Sequence, residues 1–233
     1  MSTVLDNSRI TKHLGQVSKY KSTYDPALLV SEPRSNNRQH INVAEESLPF
    51  DGFDTWNAYE VSALTHDGLP VASVAKIVYN CNSKYIVESK SIKLYFNSFN
   101  MFKCGHDSAE VNEFISHRAE HDLSKLLETD VQVELIPSAD ANNIQPEEIF
   151  DRKYETLEDT VDLSNITFDT YQETPELLKV QETQPGTIGQ YTQHLHSSLL
   201  KSNCRVTSQP DWGDIYIYIK GDYNKTPDKL SVL

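Results

Sequence analysis

Cysteine is scarce in this chain of 233 residues, and its few cysteines lie far apart. Cys81, Cys104 and Cys204 make an odd number, and no two of them form a C-x-x-C pair. This usage excludes a disulfide framework and a zinc finger, because both need cysteines in paired sets. Free thiols are typical of a reducing compartment, so we expect a cytoplasmic protein.

Glycine is also uncommon, with 8 residues in the whole chain. None of them forms a G-x-G-x-x-G or a G-x-x-x-x-G-K-[ST] pattern. Those patterns bring backbone amides close to the phosphates of dinucleotides and nucleoside triphosphates. A dinucleotide, if this protein uses one, is therefore not held by the standard Rossmann turn.

The chain also has few basic residues and no long apolar run. Lys and Arg total 21 against 34 Asp and Glu, which leaves a net charge of −13. Such a charge argues against direct binding to nucleic acid or to an anionic membrane surface. The N-terminal residues are polar, and no apolar run approaches the length that crosses a bilayer. We therefore expect a soluble protein that is not exported.

The first half of the chain predicts an α+β arrangement. Residues 55–64 and 71–79 are rich in β-branched and aromatic residues, and His66-Asp67-Gly68 between them predicts the turn of a hairpin. Asp107 is a candidate N-cap for a helix, with Glu110 in the capping-box position. The apolar face of that helix comprises Val111, Phe114, Ile115, Ala119, Leu123, Leu126 and Leu127. Residues 131–135 alternate as a strand that ends at Pro137.

The second half differs in composition. Residues 138–176 are rich in Asp and Glu, which is typical of a solvated connector, with one edge strand expected near residues 161–168. A helical pattern is predicted for residues 190–200, followed by strands over residues 199–206 and 215–219. Residues 33–38, near the start of the chain, have the composition of an extended arm. We accordingly divide the chain into a first module at 1–137 and a second at 138–233.

One stretch near the C-terminus combines a thiol and a carboxylate. Cys204 lies late in the predicted strand 199–206, and Asp211 lies in the predicted turn Gln209-Pro210-Asp211. Both side chains can face one small volume, an arrangement that suits attack by sulfur with an acid nearby to protonate what the sulfur attacks. The alternative is a buried structural cysteine and an aspartate that caps a turn.

A second unusual stretch is residues 88–95, with the sequence ESKSIKLY. Glu88 can accept two hydrogen bonds from the N–H edge of a guanine-like base, and the lysines can meet phosphates. The alternative is a polar rim at the end of a strand.

His117 and His121 match the H-x-x-E-H pattern of inverted zinc proteases. Surface histidines on a charged helix are the simpler interpretation, and we expect no metal site.

Taken together, the two stretches resemble the NADPH-dependent 7-cyano-7-deazaguanine reductases, the nitrile reductases of queuosine biosynthesis in tRNA modification. Residues 88–99 (ESKSIKLYFNSF) look like the signature of that family. Residues 200–204 (LKSNC) and 209–213 (QPDWG) resemble its catalytic segment, and Pro33-Arg34-Ser35 and Leu48-Pro49-Phe50 also match. The order of the motifs resembles the long, two-module form of the family.

The resemblance implies an α+β tunnelling fold (T-fold), built from two tandem modules of antiparallel strands and helices, and a homodimer. It implies that Cys204 adds to the nitrile of 7-cyano-7-deazaguanine to form a thioimide, and that Asp211 donates the proton. Val87, Glu88 and Ser89 would hold the substrate, and Ser89 and Lys90 would contact NADPH.

The resemblance also has a gap. The His-Glu pair and the Arg-Arg-Gly-Gly stretch of the family have no counterpart before Leu233, and Thr226-Pro227-Asp228 predicts a helix start just before the sequence stops. We therefore expect a C-terminally truncated second module. The alternative functions are a catalytically impaired protein of the same fold that binds a purine-like ligand or a protein partner, a zinc hydrolase using His117 and His121, and a cysteine hydrolase that releases ammonia from the nitrile.

Overall fold

The computed structural model describes residues 21–143, 153–164, 166–171, 174–181, 190–203, 209–222 and 226–229. The chain divides into two units, Met1–Glu147 and Glu148–Leu233, and each unit is treated by itself below. Among the residues described, no helix combines the length and the apolar character that crossing a bilayer requires.

The first unit is built on an antiparallel sheet with helices on one face. Its strands are β1 (Ser31–Pro33), β2 (Phe53–Leu64), β3 (Pro70–Asn80), β4 (Tyr85–Val87) and β5 (Val131–Pro137). Its helices are α1 (Ser35–Arg38), α2 (Ser89–Asn97) and α3 (Ser108–Leu127). The main sheet has the order β2-β3-β5, and β1 pairs separately with β4. All of these pairings are antiparallel.

The predicted hairpin is confirmed by the pairing of β2 with β3. Gly68 in the connection has a φ of 90°, a left-handed conformation that glycine adopts at no steric cost. The strand over residues 131–135 is confirmed as β5, which pairs with β3 and ends at Pro137 as expected. The prediction of an α+β protein with antiparallel strands therefore holds for this unit.

The long helix α3 begins where the capping pattern predicts. The Asp107 carboxylate accepts a hydrogen bond from the Glu110 amide at 2.9 Å, and the Glu110 carboxylate accepts one from the His106 amide at 2.8 Å. The first bond satisfies a backbone donor that the first turn of a helix leaves unpaired, and the second holds the residue before the N-cap. The predicted apolar face packs inward, and five of its members are buried: Val111, Ile115, Ala119, Leu123 and Leu127.

Helices α2 and α3 enclose the core of the first unit against the sheet. The largest side chains with almost no exposure are Tyr79, Tyr95, Phe96, Phe99, Ile77, Ile115, Leu123 and Leu127. Each fully buried apolar side chain of this size stabilises the fold by about 1.5–3 kcal/mol relative to an exposed one. The core therefore holds α2, which carries residues of the ESKSIKLY stretch, firmly on the sheet.

The second unit is a ribbon of two long strands with short additions. Its strands are β6 (Glu155–Thr156), β7 (Val180–Gln181), β8 (Gln190–Asn203), β9 (Pro210–Asp222) and β10 (Thr226–Pro227). The order is β6-β8-β9, with β6 parallel to β8 and β8 antiparallel to β9. β7 and β10 form a separate antiparallel pair.

Several predictions for the second unit are wrong. Residues 190–200 form a strand, not a helix, because their backbone pairs with β9. Tyr191 and Leu195 of this strand are buried. A spacing of four residues fits both the face of a helix and the even period of a strand, so spacing alone did not discriminate. The expected edge strand near 161–168 is absent from the described part of that segment, and the strand lies earlier, at β6.

Two further predictions, for residues 226–228 and 33–38, are also corrected by the structure. Thr226 and Pro227 belong to β10 instead of opening a helix, and Lys229 is the first helical residue. The segment around residues 33–38 is not an extended arm, because Ser35–Arg38 is helical and the Arg34 and Arg38 side chains are buried. Arg34 forms an ion pair with Asp54, and its Nε donates to Ser83 Oγ at 3.0 Å.

Candidate active site

Glu88 lies at the junction of β4 and α2. The preceding strand pairs with β1, and the Glu88 amide donates a hydrogen bond of 2.9 Å to the carbonyl of Val30, just before β1. Glu88 has extended backbone angles, φ −76° and ψ 126°, and α2 begins at Ser89. The polar rim at a strand end that the sequence left as an alternative is therefore a strand-to-helix junction, with its backbone bonded on both sides.

The four residues predicted to contact substrate and cofactor differ in exposure. Val87 and Glu88 are buried, Ser89 is exposed and Lys90 is half-buried. Both carboxylate oxygens of Glu88 are shielded from solvent. Acidic side chains are almost never fully buried unless they have a specific role or a partner. Exposure to solvent thus increases after Glu88: the carboxylate lies below the surface, and the Ser89 hydroxyl and the Lys90 ammonium group lie nearer to the surface.

Tyr79 of β3 supports the junction from the core side. Its hydroxyl accepts a hydrogen bond of 2.9 Å from Trp56 Nε1 and lies 3.4 Å from the Val87 amide. The Arg34 guanidinium lies 5.6 Å from the centre of the Tyr79 ring. Burial is the main cause that raises the pKa of Tyr79 to about 12, and the Asp54 charge adds to it. Tyr79 is therefore a neutral phenol at physiological pH.

The beginning of α2 carries two cations that suit an anionic cofactor. Lys90 and Lys93 lie three residues apart, so both project from adjacent turns of the same helix. Lys93 Nζ lies 3.4 Å from Glu60 Oε2, and both side chains are largely exposed. Exposed ion pairs contribute about 0–1 kcal/mol, so a phosphate can replace Glu60 at little cost. The residues present therefore fit the phosphates of a nucleotide such as NADPH.

The predicted catalytic residues belong to the second unit. Asp211 is the second residue of β9, is exposed, and pairs with Ser202 of β8. The prediction that it lies in a turn is wrong, because the ladder already includes the pair of Asn203 with Pro210. Cys204 lies outside the described residues; in the sequence it directly follows Asn203. The residues predicted to contact substrate and cofactor lie in the first unit, and Asp211 lies in the second.

Trp212, next to Asp211, lies on an open part of the ribbon. Its side chain is 62% exposed, and Lys201 Nζ lies 5.8 Å from the centre of its ring. Lys201 and Trp212 are direct partners in the register of β8 with β9. Their contact is an ordinary cross-strand pair, and it leaves the indole ring accessible.

The two histidines of the H-x-x-E-H pattern lie on the exposed face of α3. His117 Nε2 is 3.7 Å from Glu113 Oε1, and its Nδ1 is 3.6 Å from Glu120 Oε2. An open groove of about 450 Å³ runs beside them. Within the described residues, no group of three or more His, Cys, Asp or Glu side chains is arranged to hold a metal ion.

The sequence interpretation missed residues that hold the junction in place, chiefly Val30, Ser91 and Tyr79. Ser91 was within the quoted motif, but no pattern showed that its side chain is buried. Val30 contributes through its backbone, which no side-chain pattern reports. A helix at 89–97 had a signal, since Ile92, Tyr95, Phe96 and Phe99 follow the spacing of one helical face.

Comparison with known proteins defines the class. The pattern described as "Nitrile reductase, 7-cyano-7-deazaguanine-reductase N-term" matches residues 20–135, which include the β4–α2 junction. This match places the chain among the nitrile reductases. Curated relatives named "NADPH-dependent 7-cyano-7-deazaguanine reductase" extend the similarity into the second unit.

The relative from Legionella pneumophila is 37% identical over 221 residues, which cover 95% of this chain and 72% of the relative. Those from Ralstonia nicotianae and Coxiella burnetii are 40% and 39% identical over 210 residues, which cover 89% of this chain and 70% and 68% of the relatives. The chain therefore belongs to the NADPH-dependent 7-cyano-7-deazaguanine reductase family, as the motifs predicted.

Proposed function

We propose that this protein reduces the nitrile of 7-cyano-7-deazaguanine to an aminomethyl group with NADPH, in queuosine biosynthesis. The observation that carries the proposal is the buried acid Glu88 at the start of α2, within the segment that matches the family. The relatives that cover both units carry the name of this activity.

Glu88 is the proposed substrate-binding acid. A deazaguanine presents two adjacent N–H donors on its pyrimidine edge, and a carboxylate accepts two parallel hydrogen bonds. Burial strengthens such bonds because the local dielectric is low. Val87 and Ser89 flank the acid in the chain and complete the proposed contact with the base. The exposed Ser89 hydroxyl and the Lys90 ammonium group are the proposed contacts of NADPH.

Cys204 and Asp211 are the proposed catalytic pair. The sulfur of Cys204, as a thiolate, adds to the electrophilic nitrile carbon, and Asp211 gives a proton to the nitrile nitrogen. One C–S bond and one N–H bond form while one π bond of the nitrile breaks, which leaves a thioimide on Cys204. NADPH, when bound, supplies hydride. Two hydrides and two protons in total give the aminomethyl product and release the sulfur.

The position of Asp211 supports this pairing. The register of β8 with β9 continues to Asn203 and Pro210, so the chain leaves β8 and enters β9 at the same end of the ribbon. Cys204 follows Asn203 in sequence, and Asp211 follows Pro210. The two residues thus adjoin opposite members of one cross-strand pair. This supports the proposal that both act on the nitrile of the substrate.

The proposed architecture is two tandem tunnelling-fold modules, 1–137 and 138–233, assembled as a homodimer in the cytoplasm. The antiparallel sheet with helices on one face supports the first module. The long antiparallel ribbon of β8 and β9 supports the second. Sedimentation analysis of the purified chain tests the dimer.

Intact-mass spectrometry tests the proposed chemistry. The protein is mixed with 7-cyano-7-deazaguanine without NADPH, and we expect a mass gain of one substrate molecule. Cys204→Ala should abolish the gain, and Glu88→Gln should reduce it strongly because it removes a charged acceptor. Glu134→Gln is the matched charge control, since Glu134 is exposed on β5. The absence of an adduct in folded wild-type protein, or an adduct that persists in Cys204→Ala, would contradict the proposal.

A further inference from the structure

An N-terminal strap, residues 25–30, lies along α2 and is attached to it at both ends by serine side chains. At one end Ser98 Oγ accepts a hydrogen bond of 3.1 Å from the Asp25 amide. At the other end Ser91 Oγ accepts one of 3.1 Å from the Val30 amide. Ser91 is 0% exposed and Ser98 is 1% exposed, so the serine end of each bond is buried.

The two serines also bond the helix in the same way. Ser91 Oγ donates to the Glu88 carbonyl at 2.7 Å, and Ser98 Oγ donates to the Tyr95 carbonyl at 2.6 Å. Each hydroxyl therefore links the strap to the carbonyl of the residue three positions before the serine. The two attachments share this pattern and are seven residues apart, about 10 Å along the helix. Ser91 Oγ also lies 3.3 Å from the Val30 carbonyl. They differ in what lies beside them.

The Ser91 attachment encloses Glu88. The Glu88 amide donates to the Val30 carbonyl at 2.9 Å, while the Glu88 carbonyl accepts from Ser91, whose hydroxyl is bonded to the Val30 amide. Val30 and Ser91 thus hold both backbone polar groups of Glu88. The Ile92 amide also bonds the Glu88 carbonyl, at 3.2 Å, and so ties the same residue to the first turn of α2.

The strap is itself anchored beyond this point. The Tyr24 hydroxyl donates to the Asp122 carboxylate of α3, which also accepts a bond of 2.8 Å from Tyr95. The Tyr24 ring packs on Phe99 with centroids 4.7 Å apart. The segment that leads to Val30 is therefore fixed to both helices, and it can transmit that rigidity to the junction.

We propose that Ser91 is a positioning residue, which sets the direction of the Glu88 carboxylate by clamping the strap against the start of α2. The part of this inference that concerns substrate rests on the proposed function. A small rotation at Glu88 moves its carboxylate out of line with the base, and loss of alignment by about 1 Å is costly for oriented groups. The Ser98 attachment holds the same strap without touching Glu88.

Ser91→Ala and Ser98→Ala form a matched pair for the test. Each removes one buried hydroxyl, Ser91 from α2 and Ser98 from its C-cap, and similar losses of thermal stability are expected. Titration calorimetry with 7-cyano-7-deazaguanine should show about ten-fold weaker binding for Ser91→Ala and less than about two-fold for Ser98→Ala. In turnover with NADPH, KM for the nitrile should rise in Ser91→Ala with little change in kcat. Ser91→Thr, which keeps the hydroxyl, should restore binding.

Hydrogen exchange supplies a readout that needs no ligand. The Glu88 amide should exchange faster in Ser91→Ala than in Ser98→Ala or wild type, because its partner Val30 is no longer held. Equal effects of the two alanine variants on binding and on this amide would overturn the positioning role. If Glu88→Gln binds like wild type, the proposed function fails, and the exchange rate of the Glu88 amide still decides whether Ser91 clamps the junction.

Discussion

The two units of this chain use similar strands but enclose them very differently. In the first unit, α2 and α3 cover the sheet, and side chains such as Phe99 and Leu123 have no exposure. Among the described residues of the second unit, the buried apolar side chains are Leu157, Tyr191 and Leu195. Strands β8 and β9 leave large apolar side chains exposed, namely Leu199, Leu200, Trp212, Tyr216 and Tyr218.

The difference shows what helices add to an antiparallel sheet. On one face of the ribbon, the 3-10 helix Leu157–Thr160 supplies Leu157 and Glu158, whose carboxylate accepts a bond of 2.7 Å from Ser197. The other face carries cross-strand stacks, with His196 and Tyr216 rings 4.5 Å apart and His194 and Tyr218 rings 5.0 Å apart. Such pairs stabilise a ribbon by about 0.2–1 kcal/mol each, much less than a closed core.

The two tryptophans of the chain allow the units to be followed separately. Trp56 is half-buried in the first unit, and Trp212 is exposed in the second. Fluorescence of a Trp212→Phe background reports the first unit, and that of a Trp56→Phe background reports the second. We expect the first unit to unfold at the higher urea concentration, since it buries more apolar surface.

The largest expected effect is that of Phe99→Ala in the first unit. The Phe99 ring is fully buried between Tyr24, Tyr95 and Phe102. Its truncation should lower the free energy of unfolding by about 3–5 kcal/mol, measured by urea denaturation through Trp56. Phe53→Ala is the control, because Phe53 is 47% exposed, and it should cost less than about 1 kcal/mol. Equal costs would contradict a core closed around α2.

A smaller effect is expected from Gly221→Ala in the second unit. A Cβ at Gly221 would lie 2.9 Å from Cε1 of Tyr191, so the buried ring would have to move. We expect a loss of about 1–3 kcal/mol in urea denaturation followed through Trp212. Gly213→Ala lies on the same strand with its nearest neighbour at 3.9 Å, and it should be close to neutral. If both variants behave alike, Tyr191 is not packed as closely as the contact indicates.

The expected effect of Tyr79→Phe is confined to alkaline pH, where it changes the pH dependence of stability. Burial raises the pKa of Tyr79 to about 12 from the ordinary 10.0, so the unfolded chain loses this proton first as the pH rises. The contribution of Tyr79 is complete below about pH 10 and is lost between about pH 10 and 12, at about 1.4 kcal/mol per pH unit. Tyr79→Phe should make the decline of the unfolding free energy shallower in that window.

Tyr216→Phe in the second unit is the control for this pH profile. Partial burial is the main cause that raises the pKa of Tyr216, but the side chain is 41% exposed. Its contribution should therefore be smaller than that of Tyr79. If the unfolding free energy of Tyr79→Phe declines between about pH 10 and 12 as steeply as that of wild type, the phenol is not held neutral by its surroundings.

Much of the first unit follows from local sequence. The hairpin has its turn residues at Asp67-Gly68, and α3 has its cap at Asp107, so nearest neighbours along the chain determine both. The family also follows from short motifs, because residues 88–99 and 200–213 are dense in chemically specific side chains. These features need no knowledge of what lies across the fold.

The parts that could not be predicted depend on distant partners. Helix α2 was not predicted although it has an apolar face, because residues 91–99 mix polar residues with the apolar ones. Ser91 is one of these polar residues, and its place on the buried face is explained only by its bonds to Val30 and to the Glu88 carbonyl. Strand β8 was expected to be a helix, because Tyr191 and Leu195 fit both periods. Pairing with β9 decides between the two, and no local pattern records that pairing.

The class of protein and the elements whose signals are local thus follow from the sequence, and the reactive groups that it indicates stay a prediction. The tertiary structure alone decided which acid is buried and which residues hold it. Glu88, Glu128 and Glu134 are equivalent in composition, yet Glu88 alone among these three is shielded, because the strap and β4 close over the start of α2. Burial arises from contacts between segments distant in sequence, and these contacts shield the carboxylate for which we propose a binding role.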